Sequence, residues 1–264
     1  MNVGISMSAT PGVTDFAAVA QKIEELGFDS VWLPEHPVIP VNHNTKYAGT
    51  PDGSIPIPMT LGVNPLIALA TAASATENLG LGTAVNLITE HNPIDLAKQI
   101  STLDFYSGGR FMFGIGTGWF REESEIMGAD FDHRWTQARE YVLAMKQLWT
   151  EDHFSGFEGK YYNYPAFYEN YLSIPKPYQK PYPEMLLPVD SQESFVPMGT
   201  MGYKIAIGAG SSTHNIRGTS ILREDVKSYR KAWKDAGHAG EPTTVVRIPT
   251  LLADTSEEAE RLSD

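Results

Sequence analysis

Short apolar runs alternate with longer amphipathic stretches along the chain. Each apolar run is bounded by turn-forming or charged residues, which is typical of a buried strand. The seven predicted strands lie at 3–7, 30–33, 79–87, 110–115, 185–189, 203–207 and 244–252. The pattern therefore predicts a sheet whose strands are separated by other elements.

The stretches between these runs carry apolar residues at a spacing of three and four, which indicates helices with one buried face. Asn64-Pro65 and Asn92-Pro93 each place a capping side chain directly before a proline, which is a typical helix start. Three of the predicted helices begin at residues 15, 65 and 93. The other four span 121–127, 135–149, 193–201 and 220–235.

Strands that alternate with helices predict βα units and a parallel sheet. Seven such repeats favour a (β/α)8 TIM barrel that forms a single domain over residues 1–264. Residues 259–264 lie inside an unfinished helical pattern, so we expect the eighth strand to be missing and the natural chain to continue. Two insertions interrupt the repeat, at 37–63 after strand two and at 151–183 before strand five.

Composition excludes several functions. The net charge is −12, from 20 basic and 32 acidic residues, which argues against nucleic-acid binding. The chain has no cysteine, which rules out disulfides, thiol catalysis and Cys-ligated metals. The histidines show no metal-ligand spacing, so no metal is predicted. No apolar stretch reaches membrane-spanning length and no signal peptide is evident, so we expect a cytoplasmic protein.

Residues suited to chemistry follow two of the predicted strands. Glu35 and His36 come directly after strand two, and Gly114, Gly116 and Gly118 lie at the end of strand four. TIM-barrel enzymes keep their active sites at this end of their strands. A histidine beside a carboxylate can exchange protons near neutral pH, and glycines let a flat cofactor approach the backbone. The glycine spacing is not that of a dinucleotide fingerprint.

Several short segments then occur in a specific order. They are LGFDSVW at 26–32 followed by Glu35-His36, LGTAV at 81–85, HNP at 91–93 followed by LAKQ, LD at 103–104 followed by SGGR, and GIGTGW at 114–119. In this order they resemble the bacterial luciferase-like family of flavin- and deazaflavin-dependent oxidoreductases. The resemblance covers residues 1–190 well and the remainder loosely.

The resemblance implies a TIM barrel, usually dimeric, with a flavin or deazaflavin ring at the C-terminal mouth. The loop after strand two looks most like the subgroup that depends on the deazaflavin F420. The Glu35-His36 pair looks equally like the luciferases that use reduced FMN. Trp119 stands where some deazaflavin-dependent dehydrogenases carry an acid, which argues against a sugar-phosphate dehydrogenase.

The resemblance also implies roles for residues at the strand ends. It makes His36 the acid or base beside the reactive ring, with Glu35 tuning it. Thr83, Ala84 and Asn86 are expected to seat one face of the ring. Gly114, Gly116 and Gly118 are expected to leave room for it. For each of these residues a purely structural role stays open as the alternative.

Further candidates concern the cofactor phosphate. Arg110 matches a family position linked to that phosphate, and its guanidinium suits phosphate geometry. Asp190, Ser191 and Ser194 precede or begin a predicted helix, where free amides and hydroxyls bind anions. Asp190-Ser191 departs from the Gly-Gly-Asn-Ser run of many relatives. Gly208 follows strand six, on the phosphate side of a TIM barrel.

The main expectation is an F420-dependent oxidoreductase that transfers hydride between the deazaflavin and a small organic substrate. The alternative is a monooxygenase that uses O2 and reduced FMN supplied by a separate flavin reductase. A third hypothesis is a non-catalytic flavin-binding protein. A homodimer is expected from the resemblance. Cofactor preference separates the first two hypotheses, because deazaflavin reacts poorly with oxygen.

Overall fold

Strands and helices alternate along the chain largely where the hydrophobic pattern predicts them. The computed structural model describes residues 1–12, 15–167, 175–189, 191–208, 219–248 and 250–263. The strands are β1 Gly4–Ser6, β2 Ser30–Leu33, β3 Gly80–Thr83, β4 Asn86–Leu87, β5 Phe111–Gly116, β6 Phe157–Glu158, β7 Asn163–Tyr164, β8 Glu184–Val189, β9 Lys204–Gly208 and β10 Thr244–Arg247.

The helices follow the predicted amphipathic stretches and add two short ones. They are α1 Phe16–Glu25, α2 Ile57–Thr60, α3 Pro65–Ala75, α4 Pro93–Tyr106, α5 Arg121–Ile126, α6 Arg134–Thr150, α7 Gln192–Met201, α8 Thr219–Asp235 and α9 Ser256–Ser263. Single 3-10 turns lie at Ile88–Glu90 and Phe131–His133. The side-chain oxygens of Asn64 and Asn92 accept backbone N–H groups at the starts of α3 and α4, as their sequence positions predict.

The chain divides into two compact units, each packed mainly within itself. The first unit comprises Met1–Tyr47 and Asp52–Leu187, and the second comprises Ala48–Pro51 and Pro188–Asp264. In the first unit, β1, β2, β3, β5 and β8 pair in parallel in that order. Because parallel strands end at the same edge of a sheet, residues after β2, β4 and β5 meet there.

The core of the first unit is formed where helices cover this sheet. Helix α3 packs against α1 and α4, and α4 packs against α6. Val31, Leu81 and Phe111, one from each of three neighbouring strands, are buried completely. Burial at about 25 cal/mol per Å² of apolar surface makes such residues the main source of stability.

The second unit has its own core. Strands β9 and β10 pair in parallel, with Ile205 opposite Thr244, and α7 packs on α8. The buried side chains of this unit include Val189, Phe195, Ile207, Tyr229 and Trp233. The prediction of one domain over residues 1–264 stays a prediction.

The predicted strand at 79–87 forms two strands, β3 and β4. Gly82 pairs with Met112, and Asn86 pairs with Ile115. Asn86 comes four residues after Gly82, whereas Ile115 comes only three residues after Met112. One extra residue interrupts the pairing, as in a β-bulge. The Ala84–Val85 peptide bond within this interruption is cis. After the interruption, Leu87 and His91 contact Glu35, which directly follows β2.

The predicted strand at 244–252 is also shorter than expected, since β10 ends at Arg247. The insertion at 151–183 contains an antiparallel hairpin in which Phe157 pairs with Tyr164. The insertion at 37–63 contains only the short helix α2 within the residues described.

Candidate active site

Glu35, directly after β2, is a buried carboxylate with two partners. Its Oε2 accepts the backbone N–H of Leu87 at 2.8 Å, and its Oε1 lies 3.0 Å from Nε2 of His91. Burial alone would lower the pKa of His91, but the hydrogen bond and charge of Glu35 outweigh it and raise that pKa. Glu35 thus ties the end of β2 to the 3-10 turn after β4.

His36 is held by a carboxylate from another element. Its Nδ1 lies 2.8 Å from Oε2 of Glu123, a fully buried residue of α5. The other oxygen of Glu123 accepts the backbone N–H of Val38 at 3.2 Å. A carboxylate at Nδ1 fixes the tautomer and the plane of the ring. The described residues provide no hydrogen-bond partner for Nε2, which leaves this nitrogen for a bound molecule.

Aromatic rings line the other side of His36. Trp119 meets the His36 ring edge-on with 5.9 Å between centroids, and stacks on Phe120 at 5.1 Å. Tyr47 lies 5.5 Å from Trp119. This arrangement places the imidazole between a buried anion and an apolar wall, where a bound organic molecule would be shielded from water.

Glu90, at the end of the 3-10 turn, is the third buried carboxylate of this edge. Ser124 donates a hydrogen bond to its Oε1 at 2.9 Å, and Oε2 has no partner among the described residues. Burial, together with the negative charges of Glu123 and Glu35, raises the pKa of Glu90 to about 8 against the opposing effect of Ser124. Glu90 is therefore largely protonated at neutral pH.

The residues expected to seat a ring lie beside this cluster, in and around β3 and β4. Thr83 donates to the carbonyl oxygen of Gly114 at 2.7 Å, and Ala84 donates its N–H to Leu33 at 2.7 Å. Asn86 is completely buried, and neither its amide nitrogen nor its amide oxygen has a partner among the described residues. Such an unpaired amide is unusual and costly.

The three glycines of β5 and its end are packed closely. A Cβ at Gly114 would overlap the carbonyl oxygen of Thr83, and one at Gly116 would lie 2.5 Å from Cγ2 of Val85. Gly118 has a positive φ of 74°, and a Cβ there would lie 3.1 Å from Oε1 of Glu90. The first two glycines therefore serve strand packing in this structure, and their role beside a ring stays a prediction.

Arg110 lies at the opposite edge of the sheet, directly before β5. Its guanidinium donates to the carbonyl oxygens of Ser107, Leu79 and Ala73 and to the hydroxyl of Thr76, at 2.7–3.0 Å. In this structure the guanidinium of Arg110 is used by the protein itself, and its phosphate role stays a prediction. Every nitrogen of its guanidinium donates a hydrogen bond to a residue in the segments that precede β3 and β5.

The remaining phosphate candidates belong to the second unit. Ser191 precedes α7, and its Oγ lies 3.0 Å from Oγ of Ser194 without capping the first N–H groups of the helix. Gly208 ends β9 and is exposed. Asp190 lies outside the described residues. The phosphate roles of these residues stay predictions.

Glu123 and Ser124 are the site residues that sequence reasoning missed. A signal was present, because Phe120, Glu123, Ser124 and Met127 follow the spacing of one helix face. An acidic residue on the same face as a buried phenylalanine indicates a carboxylate kept for a partner. Glu90 and His91 give only a weak sequence signal, as polar residues that follow strand three.

Two other features are absent from the part of the chain that the structure describes. Within the described ranges, no group of three or more His, Cys, Asp or Glu residues is arranged to hold a metal ion. None of the helices described here has the length and apolar character needed to cross a membrane.

Comparison with known proteins decides the family. The sequence profile of the family described as luciferase-like monooxygenase matches residues 1–264. The chain belongs to the luciferase-like family. An uncharacterised protein of Mycobacterium tuberculosis is 33% identical over 251 residues, which is 93% of this chain and 84% of the relative. Members of the luciferase-like family are flavin- or F420-dependent oxidoreductases, which makes this chain an enzyme of that class.

Two characterised relatives use different cofactors. The FMNH2-dependent dimethylsulfone monooxygenase of Pseudomonas putida is 29% identical over 189 residues, 70% of this chain and 48% of that protein. The F420-dependent glucose-6-phosphate dehydrogenase of Kineococcus radiotolerans is 36% identical over 171 residues, 62% of this chain and 45% of that protein. The luciferase-like family therefore contains both kinds of member.

Solved structures establish the fold. The monooxygenase RslO1 of Streptomyces bottropensis superposes with a TM-score of 0.78 at 22% identity, over 99% of this chain and 75% of that one. The FMN complex of the oxygenating constituent of 3,6-diketocamphane monooxygenase from Pseudomonas putida gives 0.76 at 24% identity, over 99% and 70%. The fold is the (β/α)8 TIM barrel of luciferase-like enzymes, as its sequence pattern predicts.

The first unit contains groups that fit a flavin-type ring. Asn86 offers an unpaired donor and an unpaired acceptor, which match the alternating N–H and C=O groups on the pyrimidine edge of such a ring. His36 offers a free Nε2 beside the aromatic wall. Of the three residues expected to seat the ring, Asn86 thus has free hydrogen-bonding groups, and the roles of Thr83 and Ala84 stay predictions.

Proposed function

We propose that this chain is an F420-dependent oxidoreductase that moves hydride between the deazaflavin and a small organic substrate. The observation that carries the proposal is the His36–Glu123 pair, in which a fully buried carboxylate orients an imidazole beside Trp119. F420, when bound, supplies a two-electron hydride donor or acceptor. The chain itself must then manage the proton that accompanies the hydride.

His36 is suited to that proton. Glu123 accepts the hydrogen of Nδ1 and stabilises the imidazolium, so Nε2 can accept a proton from a substrate hydroxyl or return one to a carbonyl oxygen. Trp119 and Tyr47 exclude water from the same side. Glu35 acts at a distance from this proton, because its two oxygens are already used by Leu87 and His91.

The relatives support the cofactor in part. Among the two characterised relatives described above, the F420-dependent dehydrogenase has the higher identity, 36%, whereas the FMNH2-dependent monooxygenase has 29% over a longer match. Aromatic side chains around the site favour a largely apolar organic substrate. We further propose a homodimer that works in the cytoplasm, both on the strength of the family resemblance.

Anaerobic titration of the purified chain with F420, oxidised FMN and reduced FMN tests the proposal. We expect F420 to bind and to change its absorbance on reduction, with no comparable response to either form of FMN. A matched titration of the variant Asn86→Ala tests whether Asn86 contacts the cofactor ring. Loss of both amide atoms should weaken cofactor binding about tenfold or more. Binding of reduced FMN alone would contradict the F420 assignment.

The second candidate is a monooxygenase that uses O2 and reduced FMN from a separate flavin reductase. Trp119 favours it, since some deazaflavin-dependent dehydrogenases of the family carry an acid at this position. In that enzyme His36 would hold the proton next to the reduced ring. Oxygen consumption that depends on reduced FMN and on an organic substrate would establish this candidate. Binding without turnover of any cofactor would instead favour a non-catalytic flavin-binding protein.

A further inference from the structure

Three carboxylates are buried together at the C-terminal edge of the first unit's sheet. Glu35 follows β2, Glu90 ends the turn after β4, and Glu123 belongs to α5. Their exposed fractions are 6%, 3% and 0%. Three negative charges cannot be buried side by side without compensation, because each loses its hydration. Each carboxylate of the cluster must therefore be compensated by a bound proton or a neighbouring positive charge.

Two of the three carboxylates have a basic partner. Glu35 is hydrogen-bonded to His91, and Glu123 is hydrogen-bonded to His36. Each pair is close to neutral when the imidazole carries both of its protons. Glu90 has no such partner: among the described residues it receives only the hydroxyl of Ser124.

The described surroundings of Glu90 contain no compensating charge. Glu123 and Glu35 act on it as negative charges. Helix α6 packs on the turn that carries Glu90 and contributes the buried Tyr141, which interacts with Glu35. Burial raises the pKa of the Tyr141 phenol well above its ordinary value, so this group stays neutral. The histidines of the cluster are already paired with the other two carboxylates.

The position of Glu90 is built into the backbone. If Gly118 carried a Cβ, that atom would lie 3.1 Å from Oε1 of Glu90 and 3.2 Å from Oγ of Ser124. Gly118 has a positive φ, so glycine is favoured there and the carboxyl group can sit against the loop between β5 and α5. This loop leads directly to Glu123, so one short segment contacts both Glu90 and His36.

We propose that Glu90 is a positioning residue that carries the third proton of this cluster at neutral pH and thereby keeps His36 able to release its own proton. The proton rests on the Glu90 carboxyl group, and its loss adds a negative charge beside the His36–Glu123 pair. That charge favours the protonated imidazole and makes His36 a poorer acid. The inference rests on the acid–base role proposed above for His36.

Infrared spectra of the cofactor-free protein test the proton count, with glutamate labelled by 13C at its side-chain carboxyl. We expect a protonated-carboxyl band at neutral pH that disappears as the pH rises through about 8. The band should be absent from Glu90→Gln, which resembles protonated Glu90 in shape and charge. Glu125→Gln is the matched control, because Glu125 is an exposed residue of α5 paired with Arg121. The protonated-carboxyl band of this variant should be the same as that of the wild type.

NMR of the imidazole nitrogens tests the coupling. In the wild type, the His36 signals should show an inflection in the same range near pH 8, and Glu90→Gln should lack it. Ser124→Ala removes the donor to Oε1, which favours the ionised form, so both the band and the inflection should move to higher pH.

Each outcome decides the inference. No protonated-glutamate band in the wild type at neutral pH, or a band that persists in Glu90→Gln, would overturn the proton count. A His36 inflection that persists in Glu90→Gln would overturn the coupling. If Glu90→Gln does not fold, the wild type and Ser124→Ala still decide the matter. Both experiments use protein without cofactor, so failure of F420 to bind refutes the proposed function separately.

Discussion

The two edges of the first unit's sheet use charged residues in opposite ways. At the edge where the strands begin, Arg110 and Glu24 are fully engaged, mainly with backbone groups. Arg110 donates to three carbonyl oxygens and to the hydroxyl of Thr76, and Glu24 accepts the N–H groups of Glu77, Asn78 and Leu79. At the edge where they end, Glu90 and Asn86 keep buried atoms without a partner in the described structure.

The edge where the strands begin therefore serves stability, whereas the edge where they end is suited to binding and reaction. A charged group whose hydrogen bonds are all made within the protein closes turns and holds strand starts together. A buried polar group left unpaired costs free energy, and proteins keep such groups chiefly where they bind or react. The same division between the two ends is typical of TIM barrels. Variants at the two edges should therefore affect different measurements.

The largest expected effect is on catalysis. His36→Gln keeps a hydrogen-bond donor for Glu123 but removes the transferable proton, so kcat/KM should fall by about 10²- to 10⁴-fold. Because the buried Glu123 loses its basic partner, thermal stability should fall as well, so turnover is compared on protein shown to be folded. The measurement is steady-state turnover with the cofactor selected by titration. His133→Gln, at an exposed histidine, is the control, and equal rates for the two variants would refute the role of His36.

At the opposite edge, Arg110→Met should reduce the free energy of unfolding by about 3 kcal/mol, because it leaves several carbonyl oxygens without their donor. Urea denaturation measures this loss. Cofactor affinity of the folded variant should be unchanged, because the guanidinium already donates to the protein. A selective loss of affinity would instead support the phosphate role predicted for Arg110. Arg139→Met replaces an exposed arginine and should be nearly neutral.

A smaller effect distinguishes two glycines that were both predicted to line the cofactor site. Gly114→Ala should cost about 2 kcal/mol, since its Cβ would overlap the carbonyl oxygen of Thr83 and push two strands apart. Gly208→Ala should stay within about 0.5 kcal/mol, because a Cβ there meets no atom of the described residues within 4 Å. Equal costs measured by denaturation would contradict the packing role of Gly114.

The smallest effect concerns the pH dependence of stability. Burial opposes the shift, but the N–H groups of Asn78, Glu77 and Leu79 lower the pKa of Glu24 overall. Its stabilising contribution is therefore present above the ordinary value of 4.5 and is lost as the pH falls through the lowered pKa. Glu24→Gln should cost less than about 1 kcal/mol at neutral pH, and the difference from wild type should vanish in acid.

Glu25→Gln is the matched control for this measurement. Glu25 is exposed and forms an ion pair with Lys22 on the surface of α1. Its replacement should leave the pH dependence of stability unchanged. A stability difference for Glu24→Gln that grows in acid would contradict the assignment.

Sequence alone determined the barrel and the position of His36. The alternation of apolar runs and amphipathic helices is local, and Asn64 and Asn92 mark helix starts through their own side chains, so these features can be predicted from neighbouring residues. The parallel order of the strands then places Glu35 and His36 at the edge where a TIM barrel carries its site.

Only the tertiary structure decided what these residues contact. His36 and Glu123 are separated by 87 positions, and Glu35 and His91 by 56, so no local pattern could pair them. The partners of Arg110 could not be predicted for the same reason, because Ala73, Thr76 and Leu79 lie 31 to 37 positions before it. Which charge is satisfied and which is left for chemistry depends on long-range packing, and that information lies in the assembled fold.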